Sequence, residues 1–302
     1  MYLQHFGLRE FPFSITPDTE YFLPTNESQQ ALNTLLLAIV AGEGFIKITG
    51  EVGTGKTLLC KKLISALGTR FTVAYIFNPY RQPLSLFLEL CAELEVPIDR
   101  EKFTSEYEIV DALIQRVIDL NSQGRRVIIC LDEAQAMPIE TLEALRLITN
   151  LETEKRKLLQ VIIFGQPELN KKLDHPSIRQ LKQRITFQYH LTPMDPDQLG
   201  KYLKHRLVVA GHSEGRVFTT AAVRALSRYS GCTPRLVNIL ANKSLLSAYA
   251  DRRAMVLKKD VELAAAETES VSNKKHGSRR WILTALLAAS SITTIIIWTY
   301  WL

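Results

Sequence analysis

The sequence predicts an α/β domain on a mainly parallel sheet, followed by a small all-helical domain. Three observations lead there. Over residues 31–194, short apolar or β-branched runs alternate with stretches of helical period, the pattern of strands buried on both faces and joined through helices. One strand–loop–helix passage is glycine-rich and ends in Lys-Thr. From Asp195 the strand signal fades and only amphipathic helical stretches follow.

The elements follow in chain order. Residues 1–30 form an arm rich in aromatics and prolines; Pro12, Pro17 and Pro24 exclude a long helix, and its Phe and Tyr residues should pin it to a domain surface. Apolar residues at helical spacing run from Ser28 to Val40. Strands are expected at Phe45–Thr49, Thr72–Phe77, Val127–Leu131, Leu159–Phe164 and Ile185–His190. Between them, helices are expected at Thr57–Leu67, Leu84–Leu94, Ser105–Asn121 and Ile139–Thr149. The second domain, 195–269, reads as helices over Asp197–Ala210, Thr219–Tyr229, Pro234–Tyr249 and Lys259–Thr268, with breaks at Gly211, Gly215 and Gly231. A polar, basic linker occupies 270–280.

The last stretch, Trp281–Leu302, has no charge in 22 residues, and a helix of that length spans about 33 Å at 1.5 Å per residue, enough for a bilayer core. Trp281 stands at one end, with Trp298, Tyr300 and Trp301 at the other, as interfacial aromatics do. Lys274, Lys275, Arg279 and Arg280 precede it, which places that side in the cytoplasm. The expectation is a single-pass transmembrane tail anchor with almost all of the chain cytoplasmic.

Composition narrows the function. With 46% hydrophobic and 23% charged residues in 302, the chain is neither disordered nor a polytopic membrane protein. The formal net charge is +6, but four of those units flank the apolar tail, leaving +2 for the rest. A near-neutral body has no compositional claim on nucleic acid; the basic residues read as a topology signal facing anionic lipid. Cys60, Cys91, Cys130 and Cys232 form no CxxC pair, and the six histidines show no HExxH spacing, so a zinc site or disulfide framework is not expected.

The chemistry concentrates in Gly50-Glu51-Val52-Gly53-Thr54-Gly55-Lys56-Thr57, which matches G-x-x-x-x-G-K-[ST] at every fixed position, with Leu58 continuing into a helix. Such a loop wraps phosphates with backbone N–H groups at a helix N-terminus. Lys56 would reach the β and γ phosphates of ATP and the Thr57 hydroxyl would hold Mg²⁺. Five apolar residues, Val127–Leu131, then deliver Asp132 and Glu133. Asp132 would hold the Mg²⁺ shell and Glu133 would act as general base on water. A GTPase would show DxxG here and NKxD later; Asp132-Glu133-Ala134-Gln135 has no such glycine, and in Asn170-Lys171-Lys172-Leu173-Asp174 the Asp falls one residue late. ATP is therefore preferred, and the complete set Lys56, Thr57, Asp132 and Glu133 argues against a non-hydrolysing scaffold. Gln166, after the strand Leu159–Phe164, is a candidate for sensing the γ-phosphate or positioning water. Arg179 and Arg184 are both candidates to stabilise phosphoryl-transfer charge in a neighbouring subunit. Arg235, beside Pro234 on a first helical turn that Thr233 would cap, is a candidate to face the nucleotide from the second domain.

Four passages together resemble the ExeA/GspA-type AAA+ ATPases of secretion and pilus systems: the opening YLQHFGLREFPFSITPDTEYF, the loop GEVGTGKT with LDEAQ, the pair FGQPEL and RQLKQRI, and GCTPRLVN. The resemblance covers about residues 1–268. It implies a P-loop NTPase of the AAA+ type with a small helical lid, using ATP and Mg²⁺. In the family's terms Gln166 takes the sensor-1 position, Arg235 the sensor-2 position, and Arg179 or Arg184 the arginine finger. It further implies a homo-oligomer working at the inner membrane, coupling ATP hydrolysis to assembly of a type IV pilus-like (MSHA) or type II secretion-like complex, with pilus or secretion assembly proteins as partners. The alternative is a DNA-associated ATPase of the transposition-regulator or origin-recognition kind, which shares the core; no helix-turn-helix follows the lid, and nucleic acid is not the expected partner.

Overall fold

The computed structural model describes residues 2–97, 105–149, 151–152 and 157–268. The expected apolar anchor, 281–302, and the linker, 270–280, lie outside the described residues. Among the described residues, no helix is long and apolar enough to cross a membrane.

In chain order the helices are α1 (Tyr2–His5), α2 (Asn26–Ala41), α3 (Lys56–Ala66), α4 (Pro83–Glu93), α5 (Glu106–Ser122), α6 (Ile139–Ile148), α7 (Glu168–Leu173), α8 (Arg179–Arg184), α9 (Leu199–Val209), α10 (Thr220–Ser230), α11 (Pro234–Ala250) and α12 (Lys258–Ala266). The strands are β1 (Phe45–Gly50), β2 (Phe71–Ile76), β3 (Arg126–Leu131), β4 (Leu159–Gly165) and β5 (Phe187–Leu191). The described residues divide into two compact units, one within residues 16–194 and the other joining those up to Ile15 to those between Asp195 and Thr268.

In the first unit all five strands run parallel in the order β2-β3-β4-β1-β5. Strand side chains alternate between faces, so each strand feeds two apolar layers. Phe45, Val127, Ile129, Leu131, Val161 and Ile163 pack with residues of α4, α5 and α6 on one face. Ile46, Ile48, Ile128, Cys130, Ile162 and Phe164 pack with α2 and α3 on the other. Burial on both faces explains why these strands read as continuous apolar runs, and each fully buried Ile, Leu or Phe contributes roughly 1.5–3 kcal/mol. Local signals set the helix ends. Thr25 and Ser28 form a capping box at α2, whose far end is closed by Gly42 at φ 84°, and Ser105 with Glu108 does the same at the start of α5.

The expected strands fall within two residues of the observed ones. The largest offset is at β5, where Ile185 donates its N–H to Lys182 O and closes α8 instead of opening the strand. The helices α7 and α8, six residues each, are absent from the sequence expectations; so short a run shows less than two turns of period.

In the second unit four helices pack with the chain's own beginning. Tyr2, Phe6, Leu8 and Phe13 are buried. The Tyr2 hydroxyl donates to Asn242 Oδ1 at 2.6 Å, and Phe13 meets Phe218 edge-on at 5.8 Å. Arg206, 5% exposed, donates to Pro12 O at 2.5 Å, Ser14 O at 3.2 Å and the Tyr202 hydroxyl at 3.1 Å. The arm expected as one segment, 1–30, therefore divides after Ile15, its later part belonging to the α/β unit. Thr233 stands at the N-cap of α11 with Pro234 following, but its side chain makes no capping hydrogen bond.

An ion pair on a buried carboxylate joins α12 to the loop before it, and a hydroxyl of α11 bonds the same carboxylate. Asp260, 1% exposed, accepts from both terminal nitrogens of Arg253, from Leu257 N at 2.7 Å and from Ser247 Oγ at 2.8 Å. Burial would raise its carboxyl, yet these hydrogen bonds outweigh that and hold it at about 2, against 3.8 ordinarily. The folded value is depressed, so the stabilisation is complete above the unfolded value and is lost as pH falls through the folded one. The helical unit should lose about 2 kcal/mol between about pH 4 and pH 2. Denaturant titrations across that range should show a slope that Asp260→Asn flattens; an unchanged slope in the variant would refute the assignment.

Candidate active site

The phosphate-loop segment leaves β1 at Gly50. That position admits no side chain: a Cβ there would lie 2.7 Å from Leu191 O and 2.8 Å from Thr54 Oγ1. Gly53 and Gly55 sit at φ 81° and 99°, the left-handed region that favours glycine, and Gly55 caps α3. Glu51 and Val52 face solvent, Leu58 is half-buried and Thr54 is buried, its hydroxyl donating to Glu51 O at 2.9 Å. Lys56 is only 5% exposed and donates to Gly50 O at 2.8 Å and Glu51 O at 3.0 Å. Burial pulls its ammonium below the ordinary lysine range, against the opposing effect of the Glu133, Asp132 and other nearby carboxylates.

The order of the sheet gathers the rest. β4 lies between β1 and β3, with Thr49 beside Gly165 and Leu131 beside Ile163. The ends of these three strands therefore place Asp132, Glu133 and Gln166 next to the loop, where an open parallel sheet binds ligands. Thr57 Oγ1 donates to Asp132 Oδ2 at 2.6 Å, and Asp132 Oδ1 accepts from Glu133 N at 2.9 Å. Asp132 is fully buried, and burial pushes its carboxyl above the ordinary range, opposed by the hydrogen bonds from Thr57 and the Glu133 N–H. Glu133 adopts φ 53° and ψ 36°, a conformation rare for a side-chain-bearing residue. Such backbone strain costs on the order of 1 kcal/mol and collects at functional sites. Here it turns the carboxylate toward β4, where Oε2 accepts from Gln166 Nε2 at 3.3 Å and from the Gln135 amide.

The site's oxygen donors suit Mg²⁺. A hydroxyl and a carboxylate already touch at 2.6 Å beside the loop. Among the described residues no group of three or more His, Cys, Asp or Glu forms an all-protein metal site. The Thr57 hydroxyl and the Asp132 carboxylate fit an ion held by one or two protein oxygens plus phosphate and water, the usual magnesium arrangement in nucleotide sites.

The other expected residues are placed less centrally. Arg179 opens α8 and is exposed, whereas Arg184, half-buried at the same helix's end, donates to Thr149 Oγ1 at 3.1 Å. Arg235 is exposed on the first turn of α11 in the helical unit. Gln135 had no role in the sequence reading. The quoted LDEAQ run contained it, but its partner across the sheet, Gln166, is 31 residues away.

Comparison with known proteins supports this architecture. The AAA domain family matches residues 40–173. Over 274 residues the chain is 39% identical to the General secretion pathway protein A of Aeromonas hydrophila, covering 91% of this chain and 50% of that protein. The chain thus spans half the length of that relative. Among solved structures, Cdc6p from Pyrobaculum aerophilum superposes with a TM-score of 0.67 at 21% identity, over 85% of this chain and 70% of that one. The Aeropyrum pernix ORC2 protein, solved as ADPNP–ADP complexes, gives a TM-score of 0.61 at 19% identity, over 81% and 67%. At these identities the two structures share the fold alone.

Proposed function

Because the chain belongs to the ExeA/GspA-type AAA+ proteins, we propose that it is a membrane-anchored ATPase that couples ATP hydrolysis to assembly of a type IV pilus-like (MSHA) or type II secretion-like complex at the inner membrane. The observation that carries the ATPase reading is the cluster at the ends of β1, β3 and β4, where Thr57 meets Asp132 at 2.6 Å and Glu133 faces Gln166 at 3.3 Å. The backbone of 50–58 would cradle the phosphates and Lys56 would neutralise them. Thr57 and Asp132 would hold Mg²⁺, which supplies charge neutralisation on the phosphates when bound. Glu133 would take the proton from the attacking water and Gln166 would orient that water. Of the two arginines we assign Arg179 as the finger offered to a neighbouring copy, since it is exposed while Arg184 is engaged with Thr149. Arg235 would serve as the nucleotide sensor of the helical lid.

Anchoring rests on the uncharged run 281–302 and the basic residues before it. The secretion partner rests on the relative's name, and the pilus partner on the resemblance of the sequence passages alone. A second reading, a DNA-associated ATPase, would use the same ATPase fold.

Two measurements test the proposal. Purified full-length chain should release phosphate from Mg–ATP and far less from Mg–GTP; no release from ATP would sink the ATPase reading. Crosslinking and pull-down from native membranes should recover pilus or secretion subunits. Recovery of DNA in their place would move the assignment to the second reading.

A further inference from the structure

The turn after β3 holds a residue whose two amide ends face two different parts of the site. Glu133 at φ 53° starts a short 3₁₀ turn, Ala134–Ala136, closed by Ala136 N donating to Glu133 O at 2.8 Å. The turn projects Gln135 across to β4. There its Oε1 accepts from the backbone N–H of Gln166 at 2.9 Å. A backbone N–H can only donate, so the atom facing it must be the amide oxygen, which leaves the NH₂ for Glu133 Oε2. The same Oε2 accepts from Gln166 Nε2 at 3.3 Å. Glu133, Gln135 and Gln166 thus close a three-membered ring of hydrogen bonds between β3 and β4. Gly165 makes room for it: a Cβ there would lie 3.2 Å from Gln135 Oε1 and 2.7 Å from Leu169 Cδ2.

We propose that Gln135 is the positioning residue of this site, fixing the Glu133 carboxylate by tying it to the backbone at the end of β4. The proposal rests on Glu133 acting as general base. It adds that the base is not aimed by its own rotamer. Gln135 bonds to the backbone rather than to the Gln166 side chain, so any displacement of the β4 end on engaging phosphate reaches Glu133 through one amide. Gln166 would then report the phosphate and Gln135 would pass the report on. A general base works only when held within hydrogen-bond reach of its proton, and partners that fix such groups commonly contribute tenfold to a hundredfold.

The test compares full-length wild-type chain, Glu133→Gln, Gln135→Ala and Gln135→Glu side by side, measuring kcat, KM, ATP affinity and melting temperature. Gln135→Ala should lower kcat by about tenfold to a hundredfold with ATP affinity within about twofold. Gln135→Glu keeps the shape and the acceptor for Gln166 N–H, but replaces the donor with a carboxylate against Glu133. Gln135→Glu should lower kcat in the same range with ATP affinity again within about twofold, a split between turnover and binding that a packing role would not produce. Should Gln135→Ala also lower the melting temperature, Gln135→Glu, which keeps the shape, decides alone. A Gln135→Ala enzyme with wild-type kcat, or wild-type kcat in Gln135→Glu, overturns the proposal. Wild-type turnover by Glu133→Gln overturns the general-base reading beneath it, so the two failures are separable.

Discussion

Glu133→Gln should reduce kcat by about a thousandfold or more while Mg–ATP binding stays within a few-fold of wild type. The size follows from the step removed. A positioned general base contributes about 10²–10⁴ to rate, and a glutamine has no basic oxygen to take the proton. The selectivity follows from the geometry. The Lys56 and Thr57 side chains bond to Gly50 O, Glu51 O and Asp132, whereas the Glu133 carboxylate faces Gln135 and Gln166. Glutamine is isosteric and keeps one acceptor oxygen for those amides, so the turn at φ 53° need not rearrange. Phosphate release at saturating ATP, set beside equilibrium binding of a labelled ATP analogue, separates the two effects. Equal turnover in variant and wild type would end the assignment of Glu133 as base.

Lys56→Ala should act one step earlier and weaken Mg–ATP binding by about a hundredfold, roughly 2.7 kcal/mol. Two losses combine. The phosphates would lose the lysine proposed to neutralise them. Gly50 O and Glu51 O also lose the ammonium that bonds them at 2.8 and 3.0 Å, in a part of the loop where the side chain is 5% exposed. Glu51 O keeps its bond from the Thr54 hydroxyl, but leaving Gly50 O without the ammonium costs about 1–3 kcal/mol where water cannot reach it, so the loop itself should loosen. Isothermal titration with Mg–ATP reads the affinity directly, and a variant that binds as tightly as wild type would remove Lys56 from the phosphate site. The contrast between the two substitutions is informative: one should spare binding and remove turnover, the other should remove both.

Much of this was legible in the amino-acid order because the signals were local. The run Val127–Leu131 is apolar at every place because β3 is covered on both faces, and the residues that break the run, Asp132 and Glu133, are those the strand end delivers to the site. The glycines of 50–55 announced a loop that the structure uses for backbone approach and left-handed turns. What escaped was non-local. Gln135 gains its meaning only when β4 lies beside β3, a pairing that sequence spacing does not state. Arg179 and Arg184 were indistinguishable until α8 turned one to solvent and the other toward Thr149. The arm looked continuous because nothing in its aromatic pattern marks Ile15 as the point where it passes from one unit to the other.

That division of the arm sets a timetable for the growing polypeptide. Residues 16–194 are contiguous and can close their sheet as soon as β5 has emerged. The first fifteen residues leave the ribosome earlier but reach their places later. Tyr2 must wait for Asn242 and Pro12 for Arg206, partners 240 and 194 residues downstream. Domains generally fold as units during synthesis, so this chain completes its middle before its beginning. Until then Tyr2, Phe6, Leu8 and Phe13 lack the partners that bury them in the folded unit.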